Sequence, residues 1–116
     1  MGGGADTLGE QLNASGEYSQ ALFTHGLAVA AAEGLAEWHH RRVRTELSLE
    51  GERGKRYSPG YSACPDLADQ ERIFGLLDPA TAIGVTLTSA FQLVPEASTS
   101  AIIVHHPAAV YYLVRA

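Results

Sequence analysis

The stretch FTHGLAVAAAEGLAEW, residues 23–38, is the centre of the longest helical pattern in the sequence. Apolar and small residues recur along it at spacings of three and four, which predicts one apolar helix face. That face carries Phe23, Leu27, Ala30, Gly34 and Trp38. The helix should begin near Ser15 or Glu17 and end at about Leu47, after a basic segment that suits the negative end of a helix dipole.

Proline and glycine interrupt regular structure after this helix. Residues 48–55 are polar and contain two glycines, which predicts a loop. Two prolines and a glycine exclude a regular helix or a central strand from residues 56–66, and Pro59-Gly60 fits the middle of a type II turn. Asp66 can cap a second helix from Leu67 to Leu77. Its predicted core side carries Ile73, Leu76 and Leu77.

The pattern changes to alternation after Pro79, which is typical of strands with one buried face. Val85 to Leu93 is predicted as one strand. Ser100 to His105 and Ala109 to Arg115 are predicted as two more, paired as an antiparallel hairpin. The predicted fold class is therefore α+β, with a long N-terminal helix and a short helix packed on a mostly antiparallel β-sheet. The glycine-rich residues 1–16 are predicted to be a flexible tail or a truncated end, followed by one domain over residues 17–116.

Composition narrows the class of protein. The chain has 116 residues, of which 46% are hydrophobic, so one packed domain is expected. A net charge of −5 argues against nucleic acid as a partner, although six of the eight cations lie between Arg41 and Arg56. The single cysteine, Cys64, rules out an internal disulfide and favours a cytoplasmic setting. The longest apolar stretch, residues 27–32, is too short for a membrane span.

The segment from Arg56 to Tyr61 is the most informative for chemistry. An arginine beside a tight loop can hold a carboxylate in a bidentate pair, and Gly60 lets the backbone approach a ligand closely. On this short pattern alone, a structural turn with a surface arginine is the more common explanation.

Residues 56–66, RYSPGYSACPD, resemble the R-x-x-x-G-Y-x-A-C-P signature of the activation domain of cobalamin-dependent methionine synthases. Four further segments are similar to that family in the same order: residues 32–44, 76–88, 91–100 and 106–112. Together the matches extend from Gly16 to Arg115.

The resemblance implies a module that binds S-adenosylmethionine (AdoMet) and supports reductive methylation of cob(II)alamin. Cobalamin would be held by a partner domain of the methionine synthase, and a flavodoxin-type reductant would supply an electron. The module would be part of a methyltransferase without a catalytic residue of its own. Residues 17–116 would form part of this activation domain.

The resemblance also implies a ligand site. Arg56 matches the arginine that binds AdoMet, Tyr111 and Tyr112 match a tyrosine pair, and Glu33 matches a helix glutamate near the ligand. The complete implied set is Glu33, Arg56, Tyr57, Ser58, Gly60, Tyr61, Tyr111 and Tyr112. The family's acidic ligand from an upstream segment has no match before Gly16.

Other interpretations stay open. The adjacent histidines 39–40 and 105–106 point in different directions within each pair, so no metal site is expected. Cys64 is expected to be a small buried apolar residue. A second hypothesis is a degenerate or regulatory domain that docks on a corrinoid protein without binding AdoMet. Exposed sheet edges would favour self-association into a homo-oligomer.

Overall fold

The computed structural model describes residues 3–51 and 53–111. It has the predicted α+β composition, with small antiparallel sheets. The helices are α1 (Gly4–Ala14), α2 (Tyr18–Glu46), α3 (Gln70–Leu77) and α4 (Pro79–Ile83), with a 3-10 turn at Leu67–Asp69. The strands are β1 (Lys55–Tyr57), β2 (Thr86–Leu87), β3 (Leu93–Val94) and β4 (Ile102–Val104). Within the described ranges, no helix is both long and apolar enough to cross a membrane.

Most of residues 1–16, predicted as a flexible tail or a truncated end, is helical, because Gly4–Ala14 form α1. Gly16 adopts a φ of +81° in the tight connection, where the Glu17 N–H donates to the Leu12 carbonyl at 2.8 Å. α1 then packs on α2. This contact stabilises a helix whose glycines give it low intrinsic propensity, and composition alone does not reveal such a contact.

The long helix α2 follows the predicted bounds closely, but a different face is buried. Phe23 and Leu27, predicted for the core face, are 74% and 72% exposed. The buried positions are Ala21, Ala28, Ala32 and His40. Alanines let neighbouring backbone approach closely, and the periodicity of an alanine-rich helix does not show which of its faces the neighbours cover.

Strand β4 pairs with β1, a partner that the sequence did not predict. The two strands are antiparallel, with Lys55 opposite Val104 and Tyr57 opposite Ile102. Of the predicted hairpin, residues 100–105 contain β4, while the pairing with residues 109–115 stays a prediction. Residues 109–111 are not in a strand, and the rest of that predicted strand lies outside the described residues. The partner of a strand depends on tertiary contacts that alternation within the strand does not encode.

The predicted strand from Val85 to Leu93 is also wrong, because the chain reverses in its middle to form the β2–β3 hairpin. The Thr88 hydroxyl accepts hydrogen bonds from the Ala90 and Gln92 N–H groups at 3.2 and 3.1 Å. Phe91 adopts a φ of +61° in this turn. A threonine that bonds its own downstream backbone supplies a turn without the glycine or proline that usually marks one.

The second helix begins as predicted. The Asp66 carboxylate accepts a hydrogen bond from the Ala68 N–H at 2.9 Å, and the 3-10 turn continues into α3. Its predicted core side is wrong at the end, since Leu76 and Leu77 are exposed and the buried residue is Gln70. The unpredicted α4 follows directly, with Pro79 in its first turn.

Candidate functional site

A cavity of about 700 Å³ lies where α2, β1 with its following loop, and residues 98–103 meet. Six of the predicted ligand residues line it: Glu33, Arg56, Tyr57, Ser58, Tyr61 and Tyr111. These residues are separated in the sequence by up to 78 positions, and they meet only in the folded chain. The cavity is of the size that proteins use for small organic ligands.

Gly60 shapes the loop instead of lining the cavity. Its φ is +89°, and the Tyr61 N–H donates to the Ser58 carbonyl at 3.3 Å, as expected for a type II turn at Pro59-Gly60. The Gly60 N–H also donates to the Cys64 carbonyl at 2.8 Å. The glycine therefore turns the chain so that Ser58 and Tyr61 both reach the cavity wall. Tyr112, the last of the predicted residues, lies outside the described part of the chain.

Arg56 supplies a positive charge to the wall. Its side chain is 20% exposed, and its Nη2 lies 3.5 Å from the Glu37 Oε2. Its Nη1 is buried and makes no hydrogen bond to any residue in the described ranges. Because Arg56 lines the cavity, its guanidinium can offer hydrogen-bond donors to an anionic group of a ligand.

Two tyrosines form an aromatic corner beside Arg56. The rings of Tyr57 and Tyr111 are 6.1 Å apart at 69°, an edge-to-face arrangement. The Tyr57 hydroxyl donates to the Val110 carbonyl at 2.7 Å, and the Tyr111 hydroxyl accepts from the Arg56 N–H at 3.4 Å. The Lys55 Nζ lies 5.2 Å from the Tyr111 ring centre. These contacts hold two aromatic surfaces that can take a flat ring or a cationic centre.

Glu33 contributes the opposite charge from the α2 side of the cavity. It is exposed, one helical turn before Glu37. The wall thus presents a carboxylate and a guanidinium from two different elements, an arrangement that suits a zwitterionic ligand.

Sequence reasoning missed the wall formed by residues 98–101. Ser98, Thr99 and Ser100 line the cavity, and Ser100 is held by its hydroxyl donating to the buried Gln70 Oε1 at 2.6 Å. The Ser98 Oγ is buried and makes no hydrogen bond within the described ranges. The signal that pointed to this wall was the similarity of residues 91–100 to the family.

His40 lies on the cavity floor and was not predicted as a site residue. It is 2% exposed, and its ring centre is 5.6 Å from that of His105. Burial, together with the positive charges of Arg44 and Arg56, lowers the pKa of His40 below its ordinary value. No group of three or more histidine, cysteine or carboxylate side chains suited to a metal ion occurs among residues 3–51 and 53–111.

Comparisons with known proteins agree with this geometry. Residues 1–116 match the family described as the vitamin B12 dependent methionine synthase, activation domain. Methionine synthase of Mycobacterium tuberculosis is 40% identical over 131 aligned positions, which cover 97% of this chain and 11% of that protein. Methionine synthase of Mycobacterium leprae is 42% identical over 127 positions, 93% of this chain and 10% of that protein. The chain therefore spans about a tenth of the length of these relatives.

A solved structure is similar over nearly the whole chain. It is the crystal structure of the MetH reactivation domain bound to S-adenosylhomocysteine (AdoHcy), with a TM-score of 0.85 and 32% identity. The match covers 93% of this chain and 38% of that one. From the family match and these relatives together, the chain belongs to the activation domain family of vitamin B12-dependent methionine synthases.

Proposed function

We propose that the cavity binds AdoMet and presents its methyl group to cobalamin held by another domain of a methionine synthase. The observation that carries this proposal is the convergence of Arg56, Glu33 and the Tyr57–Tyr111 corner on one cavity. The AdoHcy bound to the similar reactivation domain supports it, because AdoHcy is AdoMet without the transferred methyl group.

Each part of AdoMet has a chemical counterpart on the wall. The Arg56 guanidinium suits the carboxylate of the ligand, and the Glu33 carboxylate suits its ammonium group. The tyrosine corner suits the adenine or the sulfonium. The hydroxyls of Ser98 and Thr99 suit polar groups such as those of the ribose.

The contribution of the chain to methyl transfer is placement. Arg56, Glu33 and the Tyr57–Tyr111 corner would hold AdoMet, and cobalamin on another domain would supply the acceptor for its methyl group. Such a transfer needs two reactants held in line and no protein nucleophile. The proposed partners are therefore the cobalamin-binding domain and a flavodoxin-type reductant, which supplies one electron to cob(II)alamin in the cytoplasm.

Isothermal titration with AdoMet and AdoHcy tests the binding step. We expect Arg56→Ala to weaken AdoMet at least about tenfold, because a charged hydrogen-bonded pair is worth about 1.5–3 kcal/mol. Arg72→Ala is the matched control, since the Arg72 side chain is 85% exposed and pairs only with Asp69 among the described residues. Equal affinity in wild type and Arg56→Ala would remove Arg56 from the site.

The second candidate function is a domain that docks on a corrinoid protein without AdoMet. The exposed Phe23 and Leu27 on α2 favour a docking role of this kind. A pull-down with a cobalamin domain, performed with and without AdoMet, separates the two. Capture in both conditions, together with no heat of AdoMet binding, supports the second candidate.

A further inference from the structure

Glu37 contacts Arg56 from outside the described lining of the cavity. It is on α2, one turn after Glu33, and is not among the described residues that line the cavity. Its Oε2 lies 3.5 Å from the Arg56 Nη2. The opposite terminal nitrogen, Nη1, is the one without a hydrogen bond in the described ranges. Glu37 therefore contacts the guanidinium through Nη2.

Glu37 is a shared anion for three arginines. Arg41 donates from Nε to its Oε1 at 3.0 Å, and the Arg44 Nη1 lies 3.8 Å from the same oxygen. The hydrogen bond from Arg41 lowers the pKa of Glu37, and the charges of Arg56 and Arg44 act in the same direction against the effect of burial. Glu37 is therefore fully ionised at neutral pH.

Arg44 links the Glu37 carboxylate to the segment that leads into β1. Its side chain is only 14% exposed and donates to the Arg53 carbonyl at 2.9 Å and the Gly54 carbonyl at 3.4 Å. The backbone of Arg56 is in turn held opposite Ile103 in the β1–β4 pair. Both the carboxylate of Glu37 and the Cα of Arg56 are thus fixed by separate contacts, which restricts the guanidinium between them.

From this arrangement we infer that Glu37 is a positioning residue: it orients Arg56, which lines the cavity, so that the guanidinium meets the carboxylate of the ligand. The inference rests on the proposed function. It states that Glu37, acting through Arg56, affects the binding of the ligand carboxylate. An arginine that is oriented before binding loses less side-chain entropy when the ligand arrives, which raises affinity.

The test compares AdoMet with decarboxylated AdoMet, which keeps the sulfonium and the amine but lacks the carboxylate. We expect Glu37→Gln to weaken AdoMet about tenfold, within the range of coupled neighbouring groups, and to leave decarboxylated AdoMet within about twofold. Glu46→Gln is the matched control, because Glu46 makes an exposed ion pair with Arg42 at 2.7 Å on the same helix. Equal weakening of both ligands would overturn the inference, because a general structural role acts on both.

A double-mutant cycle shows whether Glu37 acts through Arg56. In an Arg56→Ala background, Glu37→Gln should have no further effect on AdoMet. A further loss would show that Glu37 acts on the ligand ammonium directly, which overturns the positioning role. If wild type binds no AdoMet, the proposed function itself fails. If wild type binds and Arg56→Ala weakens binding while Glu37→Gln does not, only the inference on Glu37 fails.

A measurement on the wild-type protein covers the case in which Glu37→Gln does not fold. In nitrogen-15 NMR of the ligand-free protein, the terminal N–H groups of Arg56 should give separate resonances, because a held guanidinium rotates slowly. Arg72, which is exposed, provides the averaged reference within the same spectrum. Averaged signals for Arg56 would overturn the proposal that it is oriented before binding.

Discussion

His40 is the residue whose burial has the clearest consequence for stability. Burial comes first among the causes that lower its pKa below 6.5, followed by the charges of Arg44 and Arg56, while Glu37 opposes them and His105 adds to them. A histidine with a lowered folded-state pKa is protonated more readily in the unfolded chain. Its contribution to stability is therefore complete above about pH 6.5 and is lost as the pH falls from there towards the folded-state pKa.

We expect His40→Gln to flatten the dependence of unfolding free energy on pH between about pH 7 and 5. Urea unfolding at a series of pH values measures this slope. His25→Gln serves as the control for replacing a histidine on the same helix, because His25 is exposed. A variant at His40 that keeps the wild-type slope would show that this histidine does not control the acid response.

Cys64 is the second residue whose environment predicts a measurable property. Burial raises the pKa of its thiol, and the Asp69 carboxylate, whose Oδ2 lies 3.6 Å from the Sγ, acts in the same direction. Because the thiolate is the reactive form, alkylation by iodoacetamide at pH 8 should be several-fold slower in the folded protein than in urea. Asp69→Asn should raise the alkylation rate of the folded protein part of the way towards the rate in urea. Equal rates in the folded and unfolded protein would contradict this assignment.

At the scale of elements, the approach of the 53–57 segment to β4 depends on Gly54. Gly54 has a φ of +84°, and a Cβ at this position would collide with the His105 ring. Gly51 also has a positive φ, of +64°, but a Cβ there would meet no atom within 4 Å in the described ranges. Alanine at Gly51 would therefore cost the free energy of backbone strain alone. Alanine at Gly54 would add the cost of a steric collision.

We expect Gly54→Ala to destabilise the protein clearly more than Gly51→Ala, which should cost about 1 kcal/mol from backbone strain alone. Thermal unfolding of both variants compares them directly. Gly54→Ala should also weaken AdoMet, because β1 carries Arg56 and Tyr57. Similar stability of the two variants would show that His105 moves aside at little cost.

Long secondary elements, and those marked by a local sequence signal such as a helix cap, could be predicted from the sequence, and short ones could not. α2 spans 29 residues, and its periodicity was sufficient to predict its bounds. The cap at Asp66 was also predictable, because its hydrogen bond lies within two residues. The strands contain only two or three residues each, so their alternation is too short to show where they begin or which strand they pair with.

At the scale of the whole molecule, the proposed ligand would join three parts of the chain. The cavity wall combines α2, the segment after β1 and residues 98–103, which come from distant regions of the sequence. A ligand that binds only this assembled state stabilises it. At one hundred times its Kd, AdoMet should add about 2.7 kcal/mol to the free energy of unfolding.

Differential scanning fluorimetry with increasing AdoMet measures this linkage. The Tm should rise with ligand concentration in wild type and in Arg72→Ala, and much less in Arg56→Ala at the same concentrations. A constant Tm, with binding established by titration, would show that AdoMet binds the unfolded chain equally well and that the assembled cavity is not the site.

The sequence was sufficient to predict the α+β class, the long helix, the Asp66 cap and the turn at Pro59-Gly60, because each depends on contacts between residues close in the chain. Family motifs also pointed to Arg56, Glu33 and Tyr111. Only the tertiary structure could show the buried alanine face of α2, the β1–β4 pairing, the 98–101 wall and the contact between Glu37 and Arg56. Burial, strand partners and long-range ion pairs depend on which distant segments meet, and local patterns carry no information about that choice.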